Sequence, residues 1–172
     1  MVAAILGYRH HRPNLPQRVV RWAGGTHLGA WLLSKSLRRI DGVVLSLTSG
    51  RRTFTSFAAG LPVIVLVTTG ARSGERRPST VLGIPLGDAL AVAGGDFGQR
   101  TTPAWTCNLA AHPRAVVEYG GRAIAVTARA VTDAERATAL SSAAEVFAPF
   151  ANYVHWASRR DLSVFVLELG AR

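Results

Sequence analysis

Ten consecutive residues, Thr68-Thr69-Gly70-Ala71-Arg72-Ser73-Gly74-Glu75-Arg76-Arg77, are dense in groups that hold anions. Gly70 and Gly74 permit tight backbone turns, Thr69 and Ser73 offer hydroxyls, and Arg72, Arg76 and Arg77 supply guanidinium forks suited to phosphate or carboxylate. Two readings stand for this segment: a loop that gathers these groups over one ligand, or a solvated basic turn. It is not a Walker A loop, because the G-x-x-x-x-G-K-[ST] spacing with its lysine is absent.

A second cluster follows at Gly94-Gly95-Asp96-Phe97-Gly98, Pro103-Ala104-Trp105 and Asn108. Glycines after a strand let a flat ligand lie against backbone, and Phe97 and Trp105 offer ring faces to it. Asn108 lies three residues beyond Trp105 on one helical face, where it could cap a backbone loop or touch a ligand. The five histidines show no metal-ligand spacing beyond the adjacent pair His10 and His11, so a metal site is not expected. Cys107 is the single cysteine, which excludes a disulfide framework and fits a reducing compartment. No acid, base and nucleophile constellation stands out, so any catalysis would rest on a cofactor.

The elements that must position these groups divide at Pro62. Before it, residues 26–59 read as helical, with Leu33, Leu37, Ile40, Val44 and Leu47 on one face. That stripe can cover the body or lie on an anionic membrane surface, and Trp22 and Trp31 suit the headgroup depth. After Pro62, residues 63–69 form a β-branched run that predicts a buried strand. Further short strands are expected at 79–85, 90–94, 116–119, 123–131 and 163–169, with turns at Gly87-Asp88 and Gly120-Gly121. Helices are expected at 103–111 and from Thr132, whose capping box with Glu135 starts a helix reaching about residue 147. The pattern predicts an α+β fold built on an antiparallel barrel.

With these motifs on the page, the strings LVTTGARSGERR, GGDFGQRTTPAWTCNLAAHP and APFANYVHWASRRDLSVFVLEL resemble the deazaflavin-dependent nitroreductase and F420H2-dependent quinone reductase family. The resemblance runs from residue 61 to residue 169. It implies a mostly antiparallel split β-barrel of the FMN-binding type with flanking helices, over residues 61–172, and a basic helical extension over residues 1–60. It also implies coenzyme F420, a 5-deazaflavin with a phosphate and an acidic tail, with FMN as the competing cofactor. Carried over, Arg72, Ser73 and Arg77 would hold phosphate and tail, helped by Thr69 and Arg76, while Ser79 and Leu82 would approach the ring. Gly95, Asp96, Phe97 and Gly98 would form the loop below the phosphate, and Trp105 and Asn108 the helix closing it. Asp96 departs from the Asn or Lys of many members and puts a carboxylate near a phosphate. The acceptor pocket would be Phe147, Phe150, Tyr153 and Trp156, with Tyr153 as general acid or as an aromatic core residue.

The implied function is transfer of a hydride from reduced deazaflavin to a quinone-like, nitroaromatic or enone acceptor. The alternatives are a non-catalytic flavin or deazaflavin carrier and an FMN-dependent split-barrel reductase.

Charge sharpens the partners. The 172 residues carry 20 bases against 10 acids, a net of +10. Residues 1–60 hold nine of the bases against Asp41 alone, so the later residues are nearly balanced. No helix-turn-helix or aromatic RNA-binding motif accompanies this charge, so nucleic acid is not the expected partner. A small-molecule hydride acceptor is, with peripheral contact between residues 1–60 and an anionic membrane. No apolar run reaches the roughly 18 residues of a spanning helix. Apolar residues precede Arg9 and Arg12, the reverse of a signal peptide, so the expected location is the cytoplasm or the inner face of its membrane.

Overall fold

The structure is a computed structural model that describes residues 2–8, 14–26, 29, 60–94, 101–156 and 162–170. The helical stripe expected at 26–59 and the loop residues Gly95, Asp96, Phe97 and Gly98 lie outside the described residues, apart from residues 26 and 29.

Among the described residues, seven strands form one sheet: β1 (Val63–Thr69), β2 (Arg76–Leu82), β3 (Ile84–Leu86), β4 (Ala89–Ala93), β5 (Arg114–Tyr119), β6 (Arg122–Ala130) and β7 (Val164–Leu169). Their order is β2-β1-β5-β6-β7-β4-β3, and every pairing is antiparallel. The sequence pattern merges β2 and β3 into one strand at 79–85. They instead lie at opposite edges of the sheet, joined only by Gly83. One residue cannot span a flat seven-stranded sheet, whose strands sit about 4.8 Å apart. The sheet must therefore curl until its edges approach, and β2 indeed touches β4. The result is the expected mostly antiparallel half-barrel with flanking helices.

The inner face gathers Ile64, Leu66, Val81, Leu90, Val92, Val117, Val126 and Leu167. Two helices add to this core. From α1 (Val2–Leu6) come Val2 and Leu6, and from α3 (Ala104–Ala111) come Trp105 and Leu109. The Ile5 carbonyl accepts from Arg122 Nη1 at 2.8 Å, and the Tyr8 hydroxyl donates to the Gly83 carbonyl. A Cβ on Gly83 would come within 2.9 Å of the Tyr8 ring, so the glycine that closes the barrel also admits the N-terminal segment. Sequence reasoning groups residues 1–60 as one extension. The placement of Val2, Leu6 and Tyr8 instead makes the first residues part of the barrel's packing, because its open end leaves apolar surface to cover.

A second core lies on the other face of β4, against α4 (Asp133–Val146) and α5 (Phe150–Trp156). It joins Ile84 and Ala91 to Ala139, Ala143, Phe147, Phe150 and Tyr153. The capping box of α4 forms as expected: Thr132 Oγ1 accepts from the Glu135 N–H at 3.3 Å, and Glu135 Oε2 accepts from the Thr132 N–H at 2.9 Å. Arg129 grips the same carboxylate with two nitrogens, at 2.9 and 2.6 Å, and reaches Glu168 at 2.8 Å. This charge-assisted pairing holds the Glu135 carboxyl down to about 2.

Helix α2 (Leu15–Gly24) docks by its polar face. Arg21 donates to the carbonyls of Val146, at 3.0 Å, and Gly60, at 2.9 Å, while Asn152 Nδ2 donates to the Gly25 carbonyl at 3.1 Å. Its opposite face leaves Leu15, Val19 and Trp22 exposed at 74%, 65% and 74%. Neither α1, α2 nor α5 is foreseen in the sequence: α1 and α5, of five and seven residues, carry too few turns to show a period, whereas α2 had a readable start in the Asn14 and Gln17 capping box.

Leu6→Ala should lower stability by about 2 to 4 kcal/mol, as expected for a buried leucine. Val19→Ala should stay within about 0.5 kcal/mol. Urea unfolding of both variants checks whether α1 is structural core and the α2 stripe is not.

Candidate functional site

The β1–β2 turn is built by backbone bonds that only some residues permit. The Gly70 N–H donates to the Glu75 carbonyl and the Gly74 N–H to the Gly70 carbonyl, both at 2.8 Å. Gly74 has φ +69°, a left-handed conformation that costs glycine nothing. The Glu75 N–H donates to Ser73 Oγ at 3.3 Å, so this hydroxyl braces the turn. Arg77 Nη2 contacts Glu75 Oε2 at 2.7 Å, with both side chains more than half exposed. Such an exposed pair is worth about 0 to 1 kcal/mol and yields readily to a competing anion.

Below the turn sits a polar group that strand patterning hides. Thr68 is 1% exposed, on the inner face with Ile64 and Leu66. Its hydroxyl donates to the Arg77 carbonyl at 3.2 Å and accepts from Asn108 Nδ2 at 2.9 Å. Asn108 Oδ1 accepts from the Ala71 N–H at 3.0 Å. Both ends of the Asn108 amide are thereby used, and α3 is fastened to the turn. Of the two readings open for Asn108 in the sequence, loop capping is the one realised here. Thr68 is named in the anion-rich segment of the sequence but given no role there, although a hydroxyl on the apolar parity of β1 is the signal that could have assigned one.

The register divides the other expected site residues. In the β1–β2 pair Thr68 faces Arg77 and Leu66 faces Ser79, which sets Arg77 and Ser79 on the inner parity. Thr69 pairs with Arg76 and Val63 with Leu82, on the outer parity. Ser79 and Leu82 therefore lie on opposite faces of β2 and do not approach one flat ring from the same side. Leu82 packs instead on the second core. Trp105 is buried, edge-on to Phe165 with centroids 6.3 Å apart, so it is engaged in the inner core.

Phe147, Phe150 and Tyr153 are all buried in the second core, with Trp156 half-buried beside them. The Tyr153 ring packs at a tilt against Phe147 and Trp156, with centroids 5.6 and 5.7 Å away. Its hydroxyl donates to the Gly24 carbonyl at 2.7 Å, at the C-terminal end of α2. Burial pushes this phenol above its ordinary value, so it keeps its proton across the physiological range.

Arg72 and Arg76 differ from Arg77: among the described residues neither guanidinium has an ion-pair or hydrogen-bond partner, and both residues are exposed. Likewise, no described group accepts from the backbone N–H of Arg72 or Ser73. Two unmatched guanidinium groups and two unmatched amides on one turn are donors that could take an anion.

A family model described as F420H2-dependent quinone reductase matches residues 38–169. The chain belongs to this family. It is an oxidoreductase that uses coenzyme F420, as the sequence motifs imply. It is similar to a solved F420-H2 dependent reductase, FDR-A, at 29% identity and TM-score 0.57 over 62% of this chain and 94% of that one. It is also similar to a structure described as a domain-swapped dimer, at 25% identity and TM-score 0.58 over 81% of this chain and 98% of that one. A heme-binding protein from Mycobacterium smegmatis shares the fold at 24% identity and TM-score 0.51, over 66% of this chain and 48% of that one.

Tyr153→Phe should cost about 1 kcal/mol through loss of the bond to Gly24. Because the folded phenol is held above its ordinary value of 10.0, wild type should lose stability relative to this variant only as pH rises past that value. Denaturant unfolding of both proteins at neutral and alkaline pH checks the sign.

Proposed function

We propose that this reductase binds F420 through the β1–β2 turn and passes its hydride to an apolar, quinone-like acceptor. The unmatched donors of the turn carry this reading. Arg72, Arg76, Ser73 and the adjacent amides would take the phosphate and acidic tail, with Arg77 exchanging Glu75 for the ligand. The residues present fit the group, since a phosphate with several carboxylates needs more than one cation, whereas the single phosphate of FMN does not. When bound, the reduced deazaflavin supplies two electrons and a proton together as hydride, and a quinone that accepts it needs one further proton to become the quinol.

The chain's own contribution is orientation: a rigid turn fixes the tail so that the ring end is held in register with an acceptor. The aromatic stretch Phe147, Phe150, Tyr153 and Trp156 is the proposed acceptor wall. Tyr153 can deliver the second proton only after its hydroxyl leaves the Gly24 carbonyl, which couples that role to release of α2.

A lipid-soluble acceptor fits peripheral contact with an anionic membrane on the cytoplasmic side. The supporting features are the net charge of +8 over residues 1–60 and the exposed row Leu15, Val19 and Trp22 beside Arg18. No helix among the described residues is long and apolar enough to cross a membrane.

Arg72→Ala with Arg77→Ala should weaken F420 binding at least tenfold, about 1.4 kcal/mol. Fluorescence titration with F420, and FMN as competitor, measures it, and an unchanged curve refutes the assignment of the turn. Wild type should float with anionic vesicles and not with zwitterionic ones, and the triple variant Leu15→Ser, Val19→Ser, Trp22→Ser should lose that binding. Substitution is preferable to deleting residues 1–60, because Val2 and Leu6 belong to the barrel core.

A further inference from the structure

We propose that Asn108 and Thr68 are positioning residues that pre-set the anion-binding turn, so that this family member recognises the charged end of its cofactor through a hydrogen-bond chain that never touches the ligand. The inference rests on the turn being the tail site, as argued above.

The chain runs without a gap. The Arg77 carbonyl accepts from Thr68 Oγ1, which accepts from Asn108 Nδ2, and Asn108 Oδ1 accepts from the Ala71 N–H. Both side chains are buried, with Asn108 7% and Thr68 1% exposed, and each has a donor and an acceptor engaged along the chain. The chain therefore ties both limbs of the turn, Ala71 on one side and Arg77 on the other, to helix α3. Both the oxygen and the nitrogen of the Asn108 amide are engaged in this task and the side chain is 7% exposed, which argues against a direct ligand role.

What the chain gains is direction. The next two amides after Ala71, those of Arg72 and Ser73, are the ones without an acceptor among the described residues. Holding the Ala71 N–H inward leaves its two successors available to an anion from outside. A turn fixed before binding loses less conformational freedom when the ligand arrives. Without Asn108 the Ala71 N–H would compete for an acceptor and the turn would sample other arrangements.

The test separates a positioning role from a merely structural one by using two probes. F420 carries the phosphate and acidic tail, and the deazaflavin chromophore with its ribityl chain alone carries neither. Asn108→Ala should weaken F420 binding about tenfold while leaving the tail-free chromophore within about twofold. Hydrogen exchange in the absence of cofactor should show the Ala71 N–H opening in this variant while the β1 amides of Val65 and Leu66 stay protected. If Asn108→Ala fails to fold, Thr68→Val and Thr68→Ser decide: the hydroxyl-free variant should show the same selective loss and the serine variant should restore wild-type affinity. Equal weakening of both probes, or no weakening of either, overturns the proposal. Wild type that binds the two probes equally well would instead refute the tail site itself.

Discussion

The structure depends on a strand that must serve both edges of one sheet. Residues 76–86 pair with β1 at one edge and with β4 at the other, and only Gly83 lies between the two pairings. Closure follows from chain connectivity, since a single residue reaches only about 3.5 Å. Once the sheet is curled, its concave face becomes an enclosed core, and the helices α1 and α3 are drawn to its open ends. Gly83 has no Cβ at the point where Tyr8 arrives, which fastens the N-terminal segment at the same corner.

Closure also fixes what the anion-rich turn can do. The turn leaves β1 at Thr69 and returns at Arg76, so its basic groups are spread over both parities of the hairpin rather than gathered on one face. Below it lie a buried threonine and a buried asparagine that hydrogen-bond to backbone and to each other. Polar atoms at such depth are tolerated because each is matched. The cationic side chains above them stay solvated: the guanidinium groups of Arg72 and Arg76 have no partner among the described residues, and Arg77 holds only the exposed Glu75 pair and a long contact to Ser73.

On the far side of β4 the aromatic residues form a separate layer with α4 and α5. Tyr153 links that layer to α2 by donating to its last carbonyl, while Arg21 and Asn152 make the neighbouring bonds. The helix with the exposed apolar row is thus hydrogen-bonded to the layer that contains the aromatic residues.

Much of this was legible in the residues alone. The run VIVLVTT, the paired glycines at the hairpins and the Thr132 to Glu135 capping box each act over a few residues, and local sterics and hydrogen bonding determine them whatever surrounds them. The density of arginine and glycine at 70–77 was equally plain, and with the two later motifs it marked the family. Parity and depth were not legible, because they depend on which strands pair and in what register. A break at Gly83 that looks minor in the sequence moves β3 to the far edge, and only that move tells which face is interior. The same pairing separates Ser79 from Leu82, buries Trp105 against Phe165 and commits the Tyr153 hydroxyl to a residue 129 positions away. Sequence by itself determined the groups available and the turns that carry them. Tertiary structure alone decided which of those groups are matched inside and which remain free to meet a ligand, since long-range pairing assigns each hydrogen bond its partner.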